Sequence, residues 1–237
     1  MNQSFDRQKI KNILKPILLS AYQAEISEQS LRQNTLDVFS ATLESILKGI
    51  SFDEWIEQEK KRQIQKTLQN KVGDLHQKIL GTLSGVQDLG VGDVVDIISQ
   101  EKSLIAEIKN KHNTTKGNHK IAVYDDLKSV LSSKPEITTA YYVEILPKNG
   151  KKYNKPFTPS DNKTSQQRPA NEFIRQIDGQ SFYELLTGNP NALRELYILL
   201  AQVASEILSE EFNLTLNYQD YINEKEFDVI YGKNNLE

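Results

Sequence analysis

The stretch DVVDIISQEKSLIAEIKNK, residues 93–111, governs how the rest of the chain is read. It contains two β-branched, apolar runs, DVVDIIS at 93–99 and SLIAEIK at 103–109, joined by Gln100, Glu101 and Lys102. Runs of this length with period-two alternation predict an antiparallel hairpin. A two-residue turn at Glu101 and Lys102 sets Asp96 directly across from Glu107, with Cβ atoms about 5 Å apart. Because side chains alternate along a strand, Lys109 shares the face of Glu107, while Leu104, Ala106 and Ile108 point the other way. Three ionisable residues are thus expected on one face of two apolar strands.

Two carboxylates so close repel each other, so either one is protonated or a cation sits between them. Mg²⁺ suits such a pair, because it is bound by carboxylates, water and phosphate oxygens without an all-protein cage. A divalent ion there polarises a phosphodiester and lowers the pKa of bound water. Lys109 is then placed to orient or deprotonate the attacking water, or to stabilise developing negative charge. The expectation is metal-dependent phosphodiester hydrolysis, with Asp96 and Glu107 as metal ligands and Asp96, Glu107 and Lys109 as the catalytic set. Asp93 is the rival acid, but its spacing of three from Asp96 turns it to the opposite face. The competing reading makes all three residues ordinary sheet charges in a non-enzymatic helical interaction protein.

Outward from this stretch, the chain reads as α/β. Apolar residues recur at helical offsets over 6–20 and 31–48, and Ser51 with Glu54 forms a capping box opening a long polar helix anchored by Phe52 and Trp55. Glycines at 81, 85, 90 and 92 mark a turn-rich linker, after which the period changes to two. After the hairpin come a polar loop at 110–119, an amphipathic helix at 120–132 and a strand at 137–146. A strand followed by a helical crossover and another strand implies a mixed sheet. A short strand at 173–177, a helix after Asp178 and Gly179, and a helix at 192–208 complete the pattern. The expected organisation is one domain over 1–237, with a helical accessory and dimerisation layer at 1–90 and a core at 91–210.

Composition excludes several chemistries. The 237 residues include no Cys, which removes disulfides, thiol nucleophiles and cysteine-ligated zinc. His112 and His119 lack a recognisable metal-ligand spacing, and no GxxxxGK[ST] is present. No apolar run is long enough for a membrane helix and the first residues lack a secretory signal, so a cytoplasmic protein without membrane contact is expected. With 29 Lys and Arg against 32 Asp and Glu, overall charge leaves the question of a nucleic-acid partner to local arrangement.

Two segments supply such an arrangement. Lys111, His112, Asn113, Thr114, Thr115 and Lys116 follow the second hairpin strand and offer donors to a DNA backbone. Residues 148–168, KNGKKYNKPFTPSDNKTSQQR, combine Lys151, Lys152, Lys155 and Arg168 with interleaved Tyr153 and Phe157. Low apolar content makes this an unstructured DNA-contacting loop that orders on binding. A chain of this size has a radius of gyration of about 18 Å and covers one side of a short duplex site. Two copies on the DNA twofold axis, a homodimer, most simply cut both strands.

On these residues the chain resembles the PD-(D/E)xK nucleases, with Asp96 matching the first acidic position and Glu107 and Lys109 the Glu-x-Lys pair. Val95 stands where that pattern has Pro. The string LIAEIKNKHNTTKGN, then VYDDL at 123–127 and IRQIDGQSFYELLTG at 174–188, is similar to a group of type II restriction endonucleases that cut GGNCC-type sites. The resemblance covers roughly 93–188. It implies a restriction-endonuclease-like core, a central mixed β-sheet flanked by helices, acting on double-stranded DNA with Mg²⁺. A DNA methyltransferase is the expected genomic neighbour, and Glu44, Glu54 and Glu57 are candidates for an additional acid from an N-terminal helix. A DNA repair or junction nuclease with the same core is the rival within this resemblance.

Overall fold

The computed structural model describes residues 4–26, 37–90, 92–113, 117–160 and 166–232. Its first layer is helical: α1 (Arg7–Ile26), α2 (Val38–Lys48) and α3 (Phe52–Leu80). The ends of the last two follow from their capping residues. Asp37 accepts the main-chain N–H groups of Phe39 and Ser40, Gly49 closes α2 in the left-handed conformation, and Ser51 and Glu54 cap α3 reciprocally as the sequence predicts. Trp55 is buried, whereas Phe52 stays partly exposed.

The remaining elements are β1 (Gln87–Asp88), β2 (Ile97–Ser99), β3 (Leu104–Lys111), α4 (Gly117–Ser133), β4 (Thr139–Leu146), β5 (Asn154–Pro156), β6 (Ile174–Asp178), α5 (Gly179–Thr187), α6 (Ala192–Phe212) and α7 (Glu224–Tyr231). The strands form one mixed sheet in the order β1-β2-β3-β4-β6-β5. Pairing is antiparallel for β1–β2, β2–β3 and β5–β6, and parallel for β3–β4 and β4–β6. On one face, Leu104, Ala106 and Ile108 pack with residues of α1, α3, α5 and α6. On the other, Ile105 and Tyr142 pack beneath Tyr124, Leu127 and Val130 of α4. The alternation expected along β3 is therefore the division between two cores.

The hairpin register agrees with the sequence reading: Ile97 pairs with Ala106, Ile98 with Ile105 and Ser99 with Leu104. The turn is longer than two residues, however, and spans 100–103 with Ser103 at φ 51 and its N–H donating to the Gln100 carbonyl at 3.0 Å. One added residue on each side leaves the register intact. The first strand begins at Ile97 rather than at 93, because residues 93–96 bend and only Asp96 among them still bonds into the sheet, to Leu89 and Ala106. Helix α4 begins at Gly117, three positions before the expected start at Lys120.

The largest departure lies in 148–168, read from composition as unstructured. Within it, Lys148–Gly150 is a 3-10 turn, Asn154–Pro156 forms β5, and Ser160 bridges Gln167. An edge strand pairs through its main chain and needs little apolar content, and Pro156 is tolerated there because one side of the strand lacks a neighbour. Phe157 is not an interleaved DNA contact: it is buried and stacked on Tyr142, with ring centroids 4.5 Å apart.

Two glycines give opposite expectations. A Cβ on Gly179 would sit 2.6 Å from the Ile145 carbonyl oxygen, whereas one on Gly73, inside α3, meets nothing within 4 Å. Gly179→Ala is expected to cost roughly 1–3 kcal/mol by overpacking against main chain. Gly73→Ala is expected to stabilise by up to about 1 kcal/mol through helix propensity. Denaturant midpoints of the two variants check both signs.

Candidate active site

Asp96, Glu107 and Lys109 meet on the α4 side of the sheet, beyond the part of that face that α4 fills with apolar side chains. Asp96 lies just before β2, where its N–H continues the ladder to the Ala106 carbonyl at 3.1 Å. Its Oδ2 accepts the main-chain N–H of Ile108 at 2.6 Å, which anchors one carboxylate oxygen. Glu107 Oε1 receives Lys109 Nζ at 2.6 Å along the same strand face. All three side chains are only partly accessible.

Burial raises the pKa of Asp96, with the Ile108 N–H and the Lys109 charge opposing it and Asp88 and Asp74 adding to the rise. Burial also raises Glu107, helped by the charge of Asp96, while Lys109 and His119 pull it down. The charge of Asp96 therefore acts on Glu107, and the one ammonium of Lys109 does not offset the rise of either. That is the electrostatic setting in which a hard cation is bound well. No group of three or more metal-ligating side chains occurs among the described residues. The pair still fits a divalent ion whose remaining ligands are water and phosphate oxygens.

The same interactions identify neighbours that sequence reasoning missed. Gln77 of α3 donates to Asp88 Oδ1 at 2.8 Å and to the Asp96 carbonyl at 3.3 Å, tying this helix to the start of β2. Among the charges that raise Asp96 the one from α3 is Asp74, and Glu44 on α2 and Glu54 and Glu57 on α3 are not among them. Glu57 lies 17 residues before Asp74, about 25 Å along the helix axis. Glu44 instead accepts the Trp55 indole N–H at 2.8 Å, Glu54 caps α3, and Glu57 pairs with Lys60. Nothing local in the sequence marks Asp74 or Asp88, since their approach depends on how α3 crosses the sheet. His76 is half-buried against Tyr183, and desolvation lowers its pKa to about 4.

A second polar feature opens at the C-terminal ends of the parallel strands. His112, Lys120, Lys148, Lys151, Lys152 and Lys155 line a cavity of about 540 Å³ above Glu144 and Gln176. Of the expected DNA contacts, His112, Lys151, Lys152 and Lys155 thus converge. Lys111 and Asn113 stand exposed at the exit of β3, and Arg168 is turned to α4, where Asp125 holds it through two contacts at 3.0 and 2.6 Å. Thr114, Thr115 and Lys116 lie outside the described residues.

With this geometry in place, comparison with known proteins is decisive. The family described as Eco47II restriction endonuclease matches residues 4–209. The chain belongs to the Eco47II restriction endonuclease family. It is 43% identical over 190 residues to the type II restriction enzyme Eco47II of Escherichia coli, covering 78% of this chain and 79% of that one. It is 29% identical over 167 residues to the type II restriction enzyme Sau96I of Staphylococcus aureus, covering 69% and 64%. As a member of the Eco47II family it is a type II restriction endonuclease of the PD-(D/E)xK type, a hydrolase acting on double-stranded DNA. No helix among the described residues is long and apolar enough to cross a membrane.

The raised carboxylates have a consequence for stability. A carboxyl group whose pKa is raised by folding favours the fold at acid pH and loses that contribution as pH rises through the raised value. Asp96→Asn keeps an acceptor for the Ile108 N–H and removes the charge. Its melting temperature near pH 7 should therefore exceed wild type in EDTA, by about 2–4 °C per kcal/mol of repulsion relieved, and the gap should close toward pH 4. Thermal melts across pH measure this directly.

Proposed function

We propose that the chain cuts both strands of a short palindromic duplex site, of GGNCC type, in a Mg²⁺-dependent reaction. The observation that carries this reading is the convergence of Asp96, Glu107 and Lys109 on one half-buried sheet face, with both carboxylates raised. Asp96 and Glu107 would hold Mg²⁺, which when bound supplies charge neutralisation at the scissile phosphate and acidifies water. Lys109, the ammonium paired with Glu107, orients the attacking water and offsets the negative charge that develops at the phosphate, while the proton the water loses passes to bulk solvent. The water oxygen bonds to phosphorus, the ester P–O bond breaks, and the leaving oxygen acquires a proton. The GGNCC assignment rests on the resemblance of LIAEIKNKHNTTKGN and its flanking strings.

DNA is held by Lys111, His112 and Asn113 at the exit of β3, by Thr114, Thr115 and Lys116 that follow them in the sequence, and by Lys151, Lys152 and Lys155 at the cavity. Arg168 joins them by exchanging Asp125 for a phosphate. Single-domain behaviour is supported by a core that α1 and α3 share with β3 and α6. The reading includes a cytoplasmic enzyme whose genomic neighbour encodes a methyltransferase protecting the host's copies of the site.

The active form is a homodimer built on α2. That helix turns Ala41 and Ser45 inward and lines a polar cleft against α3 with Ser40 and Glu44. Val38, Phe39, Leu43, Ile46 and Leu47 stand exposed on its outer side, Leu43 at 70% and Leu47 at 86%. A second copy is the occupant that a twofold-symmetric target most simply supplies.

Digestion of methylation-free phage DNA is expected to give discrete bands with Mg²⁺, none with EDTA, and one shared end sequence. Glu107→Ala and Lys109→Ala should lower cleavage by at least about 10²–10³-fold while largely sparing specific binding. Intact DNA from folded wild-type protein would overturn the reading, and branched-DNA preference would replace restriction by repair. Leu43→Glu with Leu47→Glu should keep the fold by circular dichroism, lose any dependence of melting temperature on protein concentration, give a monomer on sedimentation and turn double-strand cuts into slow nicking. An unaltered mass in that variant would sink the α2 interface alone.

A further inference from the structure

Glu144 is 2% exposed and lies on β4 directly opposite Lys109 in the parallel register. Its Oε1 receives Lys120 Nζ at 2.8 Å, and its Oε2 receives the Tyr153 hydroxyl at 2.6 Å and Gln176 Nε2 at 2.8 Å. These donors come from the first turns of α4, from the segment after β4, and from β6. Lys120 Nζ also donates to the His112 carbonyl at 3.2 Å and lies 5.2 Å from the centre of the Tyr142 ring. Tyr153 is further fixed through its main chain, its N–H donating to Asp178 Oδ2 at 2.7 Å and its carbonyl accepting the Asp178 N–H at 3.1 Å.

Burying a carboxylate and an ammonium together costs several kcal/mol of desolvation per ion, and apolar residues of like volume often serve stability as well or better. What this cluster achieves that an apolar one would not is directional. It ties the exit of β3, the start of α4 and the lysine-bearing segment 148–155 to one point beside Lys109. The cavity above it is ringed by Lys148, Lys151, Lys152 and Lys155.

We propose that Glu144 is a positioning residue: through Lys120 and Tyr153 it sets the lysine-lined cavity at a fixed offset from Lys109, so that a DNA phosphate seated there places a nearby phosphodiester against Asp96 and Glu107. The inference rests on the nuclease reading of Asp96, Glu107 and Lys109. It assigns Lys120, which no motif singles out, to the same device.

The test compares wild type with Glu144→Gln, Lys120→Met, the double variant Lys120→Met with Glu144→Gln, and Tyr153→Phe, which leaves the ion pair intact. Each is measured for melting temperature, for the salt dependence of binding to a duplex carrying the site in EDTA, and for kcat and KM with Mg²⁺. The single charge variants should melt lower, because each leaves a buried charge without its partner. The double variant should regain most of that stability and still bind with a slope of log K against log[salt] shallower by about 1–2, as expected when one or two phosphate contacts are lost. KM should rise and kcat fall in it, with Tyr153→Phe shifting the same way by less. A folded double variant with wild-type slope, KM and kcat would overturn the proposal and leave the ion pair structural. Wild-type protein that neither binds nor cuts DNA would remove the nuclease reading and this inference with it.

Discussion

Strand β3 is hydrogen-bonded on both edges, antiparallel to β2 and parallel to β4, and the candidate chemistry depends on that double pairing. A strand held on both sides cannot slip by one residue without exchanging its faces. Here such an exchange would carry Glu107 and Lys109 into the core occupied by Leu104, Ala106 and Ile108. The cost of burying two charges there fixes the register more firmly than the turn at 100–103, which is not built from preferred hairpin residues. Helix α4 then fills the opposite face with a core that includes Ile98, Ile105, Ala140, Tyr142 and Ile174 but not Glu107 or Lys109. Glu107 and Lys109 lie where that apolar cover ends, half-buried rather than lost to the interior.

Two kinds of buried carboxylate follow from this arrangement. Glu144 has three donors converging on its two oxygens, and its charge is resolved within the fold. Burial raises both Asp96 and Glu107, the charge of Asp96 adds to the rise of Glu107, and the single ammonium of Lys109 opposes both. Preorganised but unresolved charge is what a site acting on a polyanion through a cation requires, because the missing neutralisation arrives with the ligands. The neighbouring cavity has the opposite character, with four lysines around a satisfied core. A phosphate backbone crossing from one to the other meets attraction at the lysines and, with a cation bound, neutralisation at the carboxylates.

The helical layer shows the same division between internal packing and outward function. Helices α1 and α3 join the main core through Ile10, Leu14, Leu75 and Ile79. Helix α2 reverses the usual amphipathic arrangement, with polar residues toward α3 and apolar ones outward. A helix arranged this way leaves apolar area in water at a cost of about 25 cal/mol per Å². In the reading favoured here a second copy removes that cost.

Reading residues 93–111 in isolation was enough to set Asp96 against Glu107 and to separate the two faces of β3, because side-chain direction along a strand follows from backbone geometry alone. The capping box at Ser51 and Glu54 and the helix start after Asp178 were legible for the same reason: each is satisfied within a few residues. The edge strand β5 was not, since its partner β6 lies about twenty residues further on and its composition carries no apolar period. Nor could sequence place Asp74 and Asp88 near Asp96, or bring Lys120, Tyr153 and Gln176 onto Glu144. The sequence by itself determined which residue types share a face and where local elements begin. Only the tertiary structure decided which distant groups meet, because the crossing of α3, the landing of α4 and the pairing of β5 are settled by packing and hydrogen bonding between segments far apart in the chain.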